Sequence, residues 1–340
     1  MAVNLTTAFT DGSSSDATQS VFNTLLLVRG TYALIHQVPV KKYSLARRSG
    51  KTMIWRRYDA LALAPTPLSE GLPPAGKSKT KTDVAATIQP YGDFIEDSDM
   101  VLNTQPDPQA LENIELLGQQ AGETFDELYR DMWADATNIV YASGTSSATV
   151  NAILDRAVLD RAIRTARINK MQPFSPAVFA SQRIGSSSIM PSYWGLADER
   201  SYFDLRHIDG FVLPVDYANG SATLVGEGGS DKNGVRYLIS PNGYFLPGAN
   251  GVTTANADVK NTGGYGDLYS IFIVGKEAAG GINMAMGNGG VIKKELGSAG
   301  TADPLNQRAT VGWLKYDART ILNQAFLLEI STSSACKKGT

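Results

Sequence analysis

The chain has 340 residues, 43% hydrophobic and 19% charged, with a net charge of −2. This balance excludes a wholly disordered chain and gives no overall electrostatic signature of a nucleic-acid binder. The one cysteine, Cys336, excludes an intrachain disulfide and a cysteine-based metal site, and the two histidines, His36 and His207, are too isolated to suggest a metal cluster.

Residues 1–15 are small and polar and predict an arm that orders only against a neighbour. The segment from Asp16 to Gln37 reads as a capped helix with Val21, Leu25, Val28 and Tyr32 on one face, ending before Pro39. No basic stretch precedes an apolar run, and LLLV at Leu25–Val28 is too short to cross a bilayer. No membrane association is expected, and the chain is expected to be made and to act in a cytoplasm.

A basic run follows, in which Lys41, Lys42, Arg47, Arg48, Lys51, Arg56 and Arg57 are interleaved with Tyr43, Trp55 and Tyr58. Cations and aromatic faces together suit single-stranded nucleic acid. The stretch also alternates as a β-strand does, with cations on its outer face serving solubility or ion pairs between subunits. A proline-, glycine- and lysine-rich tip and a second β-branched stretch come next. Strand, long tip and strand make a projecting hairpin with too little core to stand alone, so it is expected to lie on another subunit.

Within that tip, Gly71 to Ser78 spells G-x-x-x-x-G-K-S, the phosphate-loop pattern. A working phosphate loop follows a buried strand, opens a helix and aims backbone N–H groups at the phosphates. Pro73 and Pro74 delete two donors and the following residues read as strand. Nucleotide binding is therefore not expected. The densest acidic group, Glu96–Asp99, reads as a solvated turn before a helix rather than a cation site.

Residues 107–137 read as one long helix, started by Asp107 as cap and Pro108 in the first turn. Leu111, Ile114, Gly118, Ala121, Phe125, Leu128 and Met132 form its apolar stripe, and its length is roughly 40 Å, enough to act as a beam for other layers. Gly118 and Gly122 each cost about 1 kcal/mol relative to alanine, so their one-turn spacing predicts that another backbone crosses closely there. The plainer reading is an ordinary core helix with two tolerated glycines.

Residues 149–170 read as a second helix, with Val150, Ile153, Leu154, Val158, Ala162 and Ala166 inward and Asp160 paired to Arg164 outside. Strands are expected at SYWGLADE, FVLPVDYA, GVRYLIS, YFLPGANG and LYSIFIVG, with a short helix near Arg200–Ile208 and a glycine- and asparagine-rich, loop-rich lobe over 220–266. MGNGG at Met286–Gly290 lacks the spacing of a dinucleotide fingerprint. The last strands are expected at Val311–Tyr316 and Ala325–Ile330. No nucleophile beside a base, no paired carboxylates and no metal set emerge, so neither enzymatic activity nor a cofactor is expected.

Three blocks carry a resemblance: GKTMIWRRYDAL with TPLSEG over 50–71, YGDFIEDSDMVLNTQPDPQALENIELLGQQAGETFDELYRD at Tyr91–Asp131, and DPLNQRATVGWLKYDARTILNQAFLLEI at Asp303–Ile330. Together with a G-V-R segment at Gly234–Arg236, they resemble the coliphage-N4-like family of tailed-phage major capsid proteins over most of the chain. The resemblance implies an α+β protein of the HK97-type fold. Its parts would be an N-terminal arm at 1–40, an extended hairpin called the E-loop at 50–98, a peripheral domain at 99–194 with a spine helix at 107–137, an axial domain at 195–275, and a return to the peripheral domain over 276–340. The sequence departs from commoner members in the glycine- and asparagine-rich insert around 243–266.

The implied function is that of a structural protein of the virion, assembled in the cytoplasm of a bacterial host. It would form hexamers and pentamers that build an icosahedral head around double-stranded DNA. A portal at one vertex is implied, and scaffolding and decoration proteins are compatible partners. Glu70, Lys77, Lys79 and Lys81 are the expected assembly contacts of the E-loop, and Gly118 and Gly122 the packing positions of the spine helix. Other functional classes are a phosphate-loop protein through Gly71–Ser78 and a single-strand binder through the basic aromatic run.

Overall fold

The computed structural model describes residues 34–46, 50–67, 70–71, 76–104, 109–174, 192–216, 224, 226–249, 261–262, 265–284, 290–298 and 303–335. Most of the expected Asp16–Gln37 helix, the Asp107–Pro108 start of the long helix, and Arg47, Arg48, Pro73 and Pro74 lie outside these residues. Where that segment leads into the body, residues 36–39 form a turn.

In chain order the elements begin with β1 (Lys41–Leu45), β2 (Thr52–Tyr58), β3 (Lys81–Thr87), β4 (Gln89–Ser98), α1 (Asp99–Thr104) and the long helix α2 (Gln109–Trp133). They continue with β5 (Ile139–Tyr141), α3 (Arg156–Ile168), β6 (Tyr193–Asp198), α4 (Glu199–Arg206), β7 (Phe211–Val212), β8 (Glu227–Asp231), β9 (Val235–Ser240) and β10 (Phe245–Leu246). The last are β11 (Asn261–Thr262), β12 (Tyr265–Gly266), β13 (Leu268–Val274), β14 (Ala279–Met284), β15 (Gly290–Lys294), β16 (Arg308–Ile321) and β17 (Leu327–Thr332).

Two sheets form the body. The first is organised on β16, which runs 14 residues, well beyond the expected Val311–Tyr316. Along one edge β16 pairs antiparallel with β4, from Arg308 opposite Ser98 to Asp317 opposite Gln89. Along the other it pairs with β15 at Thr310–Leu314 and with β14 at Asp317–Ile321, and β1 adds in parallel beyond β14. The second sheet has the order β5-β17-β13-β6-β9-β8-β7, with β10 also on β13. Its interior strands β6, β9, β13 and β17 are buried along their whole length, as expected of strands covered on both faces.

Helix α2 joins the two sheets. Leu117 and Phe125 pack on Val311 and Trp313 of the first sheet. One to two turns later Tyr129, Met132 and Trp133 enter the core formed with Trp194, Leu196, Phe272 and Leu327 of the second. Polar side chains fix its rotation: the Trp313 indole donates to Gln120 Oε1 at 3.2 Å, and the Gln120 amide donates to Asp93 at 2.6 Å. The other face of the second sheet is covered by α3 and α4, with Leu159, Ala162, Ile163, Ala166 and Leu205 against Tyr237, Ile271 and Ile330.

The helices depart from expectation in three ways. The apolar face of α2 runs through Leu117, Phe125, Tyr129 and Trp133, so Gly118 is exposed. A Cβ built there meets nothing within 4 Å, and at Gly122 it meets only the Leu34 side chain, at 2.9 Å. Among the described residues no backbone crosses at either glycine, because the large side chains on the neighbouring stripe set the helix rotation. Helix α3 starts at Arg156 instead of Thr149, since the Asp155 carboxylate caps it by accepting from the Arg156 N–H at 2.6 Å. Val150 and Leu154 are buried from non-helical backbone, and Ile153 is exposed. Asp160 pairs with Arg156, 3.0 Å away and one turn before it, rather than with Arg164.

Candidate assembly surfaces

The projecting element is the β2–β3 hairpin, paired from Thr52 opposite Thr87 to Tyr58 opposite Lys81. Cross-strand contacts hold it. Arg56 lies directly opposite Asp83 and donates to both carboxylate oxygens, at 2.8 and 3.2 Å, and the Thr52 and Thr87 hydroxyls are 3.0 Å apart. Hydrogen bonds from Arg56 keep the Asp83 carboxyl below the usual carboxylate range. At its base Met53 and Trp55 pack with Leu45, Ala86, Ile88, Ile282 and Ala318, and Trp55 meets Tyr43 edge-on with ring centroids 5.6 Å apart. The base of the hairpin is therefore anchored in a small core shared with β1, β14 and β16 of the first sheet.

Three cations of the basic aromatic run are paired with carboxylates inside the chain. Lys41 pairs with Glu277 at 2.5 Å, Arg56 with Asp83, and Arg57 with Asp59 at 3.8 Å. Of its three rings, Tyr43 and Trp55 pack on each other and Tyr58 is exposed.

At the tip, Lys77 Nζ donates to the carbonyls of Ala62 at 2.7 Å and Leu63 at 3.2 Å, clipping the returning limb to the outgoing one. Its ammonium is thus engaged within the hairpin, where the sequence suggested an outward ion pair. Lys81 is 3.7 Å from Asp83 on its own strand. Glu70 and Lys79 are exposed. The chain after Ser78 is extended and enters β3, so the phosphate-loop pattern opens no helix.

Alternation of alanine and leucine over 60–64, a signal not used in the sequence reading, leaves Leu63 90% exposed and Leu61 56% exposed. A second apolar surface is the face of the first sheet turned away from α2. There Phe94, 62% exposed, and Ile292, 48% exposed, flank Gly312, and Leu314 sits between Gly92 and Gly290. The strand register creates this surface, and no periodicity within one segment reveals it.

Where residue 34 leads into the body, a buried polar joint fixes the chain. His36 Nδ1 is 2.7 Å from Asp126 Oδ2, and the Trp133 indole donates to the His36 carbonyl at 3.0 Å. The Asn242 amide also donates to Asp126 Oδ2, at 3.1 Å, and accepts from Arg130 at 2.8 Å. Three distant segments meet there. The other histidine, His207, is exposed at the end of α4.

Among the described residues no group of three His, Cys, Asp or Glu is placed to hold a metal ion, and no helix is long and apolar enough to cross a membrane. Glu96–Asp99 has its own partners: Arg308 is 3.5 Å from Glu96, and the Asn113 amide donates to Asp97 at 2.6 Å.

No protein-family model matches the sequence, and no curated protein does. Solved structures do match nearly end to end. A chain from the capsid of Ralstonia phage GP4 superposes with a TM-score of 0.69 at 12% identity, over 93% of this chain and 95% of its own. A chain from the capsid of cyanophage P-SCSP1u gives 0.62 at 14%, over 94% of each. One from the capsid asymmetric unit of cyanophage Pam1 gives 0.62 at 13%, over 95% and 98%. The chain has the α+β, HK97-type fold of phage capsid proteins.

Proposed function

We propose that this chain is the major capsid protein of a tailed double-stranded DNA bacteriophage, a structural and non-enzymatic subunit that self-assembles as hexamers and pentamers into an icosahedral head. The observation that carries the reading is the whole-chain likeness to capsid chains from three phages, with more than nine-tenths of each chain matched.

The physical character of the molecule supports it. A closed shell needs self-complementary surfaces spread over the subunit, so apolar groups wasteful in a monomer stay exposed. Leu63, Phe94 and Ile292 are such groups, and they occur on two different surfaces, the hairpin tip and the outer face of the first sheet. The RRY strand and the LLGQQAGET helix support placement near the coliphage-N4-like proteins. In this reading the subunit resides in the virion after assembly in the bacterial cytoplasm. A portal occupies one vertex, and scaffolding or decoration proteins are compatible with the same surfaces. Glu70 and Lys79 remain available as intersubunit contacts of the hairpin.

Negative-stain microscopy of the protein, expressed alone and purified, tests this. Closed shells or capsomer sheets of uniform subunit spacing are expected. A species that stays monomeric at millimolar concentration, with and without crowding agents, overturns the proposal.

A further inference from the structure

Among the described residues, α3 carries a row of cations without carboxylate partners, away from the hairpin. The helix buries Val158, Leu159, Ala162, Ile163 and Ala166. Its opposite side exposes Arg161, Arg164 and Arg167, and Lys170 follows just beyond the end, in left-handed backbone at φ 55°. Elsewhere in the molecule cations commonly face carboxylates, as in Lys41–Glu277, Lys232–Asp209 and Arg308–Glu96. Among the described residues, none of the four on α3 lies within ion-pair distance of an acid. The one acid on this side, Asp160, is held by Arg156 at 3.0 Å and by the Asn233 amide at 2.5 Å. Arg161 and Arg167 donate to the backbone carbonyls of Tyr141 and Asn233, which leaves further guanidinium donors outward and no charge cancelled.

Complementing the helix dipole explains a cation in the last turn, where Arg167 lies, but not Arg161 and Arg164 before it. A protein partner needs a desolvated apolar centre ringed by charges. Here the centre is charged and the one exposed apolar side chain, Ile168, stands at the C-terminal end. A duplex backbone needs only cations at suitable spacing. From Arg161 to Arg167 the helix rises roughly 9 Å at 1.5 Å per residue, comparable to about three nucleotides of one strand at 3.4 Å each, and Lys170 follows beyond the helix end.

We infer that the outer side of α3 is a sequence-independent contact for the phosphate backbone of double-stranded DNA, and hence that this side of the second sheet faces the shell interior. The inference rests on the capsid reading, since only enclosed duplex supplies such a partner at high local concentration.

The test is filter binding of a 30-base-pair duplex to the full-length subunit across a salt series, with polyglutamate as competitor. The variant carrying Arg161→Gln, Arg164→Gln, Arg167→Gln and Lys170→Gln is expected to bind at least about tenfold more weakly at 50 mM salt. Its plot of log affinity against log salt is expected to be shallower by about 3 to 4, near 0.9 per lost contact. A control with Lys42→Gln, Lys51→Gln, Lys293→Gln and Lys294→Gln removes the same charge elsewhere and is expected to bind within threefold of the parent. If the fourfold α3 variant folds poorly, the exposed single change Arg164→Glu is expected to show the same direction. A parent that does not bind duplex, an α3 variant that binds as the parent does, a control that loses as much, or polyglutamate competing as well as DNA each overturns the inference. Shell formation by the parent, read separately by microscopy, tells a failure of this contact from a failure of the capsid reading.

Discussion

His36 and Asp126, ninety residues apart in sequence, form a fully buried two-point contact. The His36 backbone N–H donates to Asp126 Oδ1 at 2.9 Å, and its ring Nδ1 lies 2.7 Å from Oδ2. The contact pins the segment entering β1 to the middle of α2 at the point where the two sheets meet. Asp126→Ala strands the His36 ring and the Asn242 amide without their acceptor in the interior. Leaving a buried donor without its acceptor costs about 1 to 3 kcal/mol. Urea denaturation of the soluble subunit is expected to show a loss of that size, and a loss under 1 kcal/mol would mean that water replaces the carboxylate without penalty.

Gly118 and Gly122 are expected to respond differently to substitution. Gly118 is open, so Gly118→Ala removes backbone entropy from a helix interior without a clash and is expected to stabilise the subunit by about 1 kcal/mol. Gly122→Leu drives a branched side chain into Leu34 and is expected to destabilise it by about 1 to 3 kcal/mol. Equal thermal midpoints for the two variants contradict this account of the α2 surface.

Lys77 is expected to act as a clip rather than a nucleotide ligand. Lys77→Ala frees the Ala62 and Leu63 carbonyls and loosens the tip, so limited proteolysis between residues 59 and 80 is expected to quicken several-fold with no change in the thermal transition. Calorimetry with ATP is expected to give no saturable heat for either protein. Micromolar ATP binding lost in the variant restores the phosphate-loop reading.

Leu61 and Leu63 belong to the surface proposed to meet another subunit. Replacing both with aspartate exposes no core and is expected to leave the melting transition within about 0.5 kcal/mol of the parent, as for other surface changes. The same variant is expected to build no shells, because a carboxylate buried at each repeated contact is strongly unfavourable. Normal shells from it show that the tip lies outside every interface.

Glu329 gives a pH dependence of defined sign. Burial holds its carboxyl above the ordinary 4.5, opposed by the Ser270 hydroxyl, which donates to Oε1 at 2.5 Å. A carboxyl with a raised folded pKa binds its proton more tightly in the native state. Its charged form therefore carries a penalty that is full above the folded pKa and absent below the unfolded one. Glu329→Gln keeps an acceptor for Ser270 and removes the charge. Its thermal midpoint is expected to exceed that of the parent at pH 8 and to converge with it at pH 4, and a pH-independent offset argues against the burial of charge at this position.

The hydrophobic periodicity of the chain by itself determined the long helix at its centre, the strongly apolar interior strand LYSIFIVG, and the alternation that makes β16. These depend on local period and propensity, which each segment carries within itself. The phosphate-loop letters at Gly71–Ser78 were equally legible as a pattern lacking its strand-to-helix setting. Only tertiary structure decided the rotation of α2, because it depends on how Leu117, Tyr129 and Trp133 fill two different sheets, and that placed Gly118 outside. It also decided which cations are free. Arg56 is neutralised by Asp83 across a hairpin, whereas Arg164 faces solvent on α3, since Asp160 turned to Arg156 once Asp155 had set where the helix begins. Charge pairing and exposed apolar faces depend on strand register and helix phase, and a shift of one residue in either moves a side chain to another face.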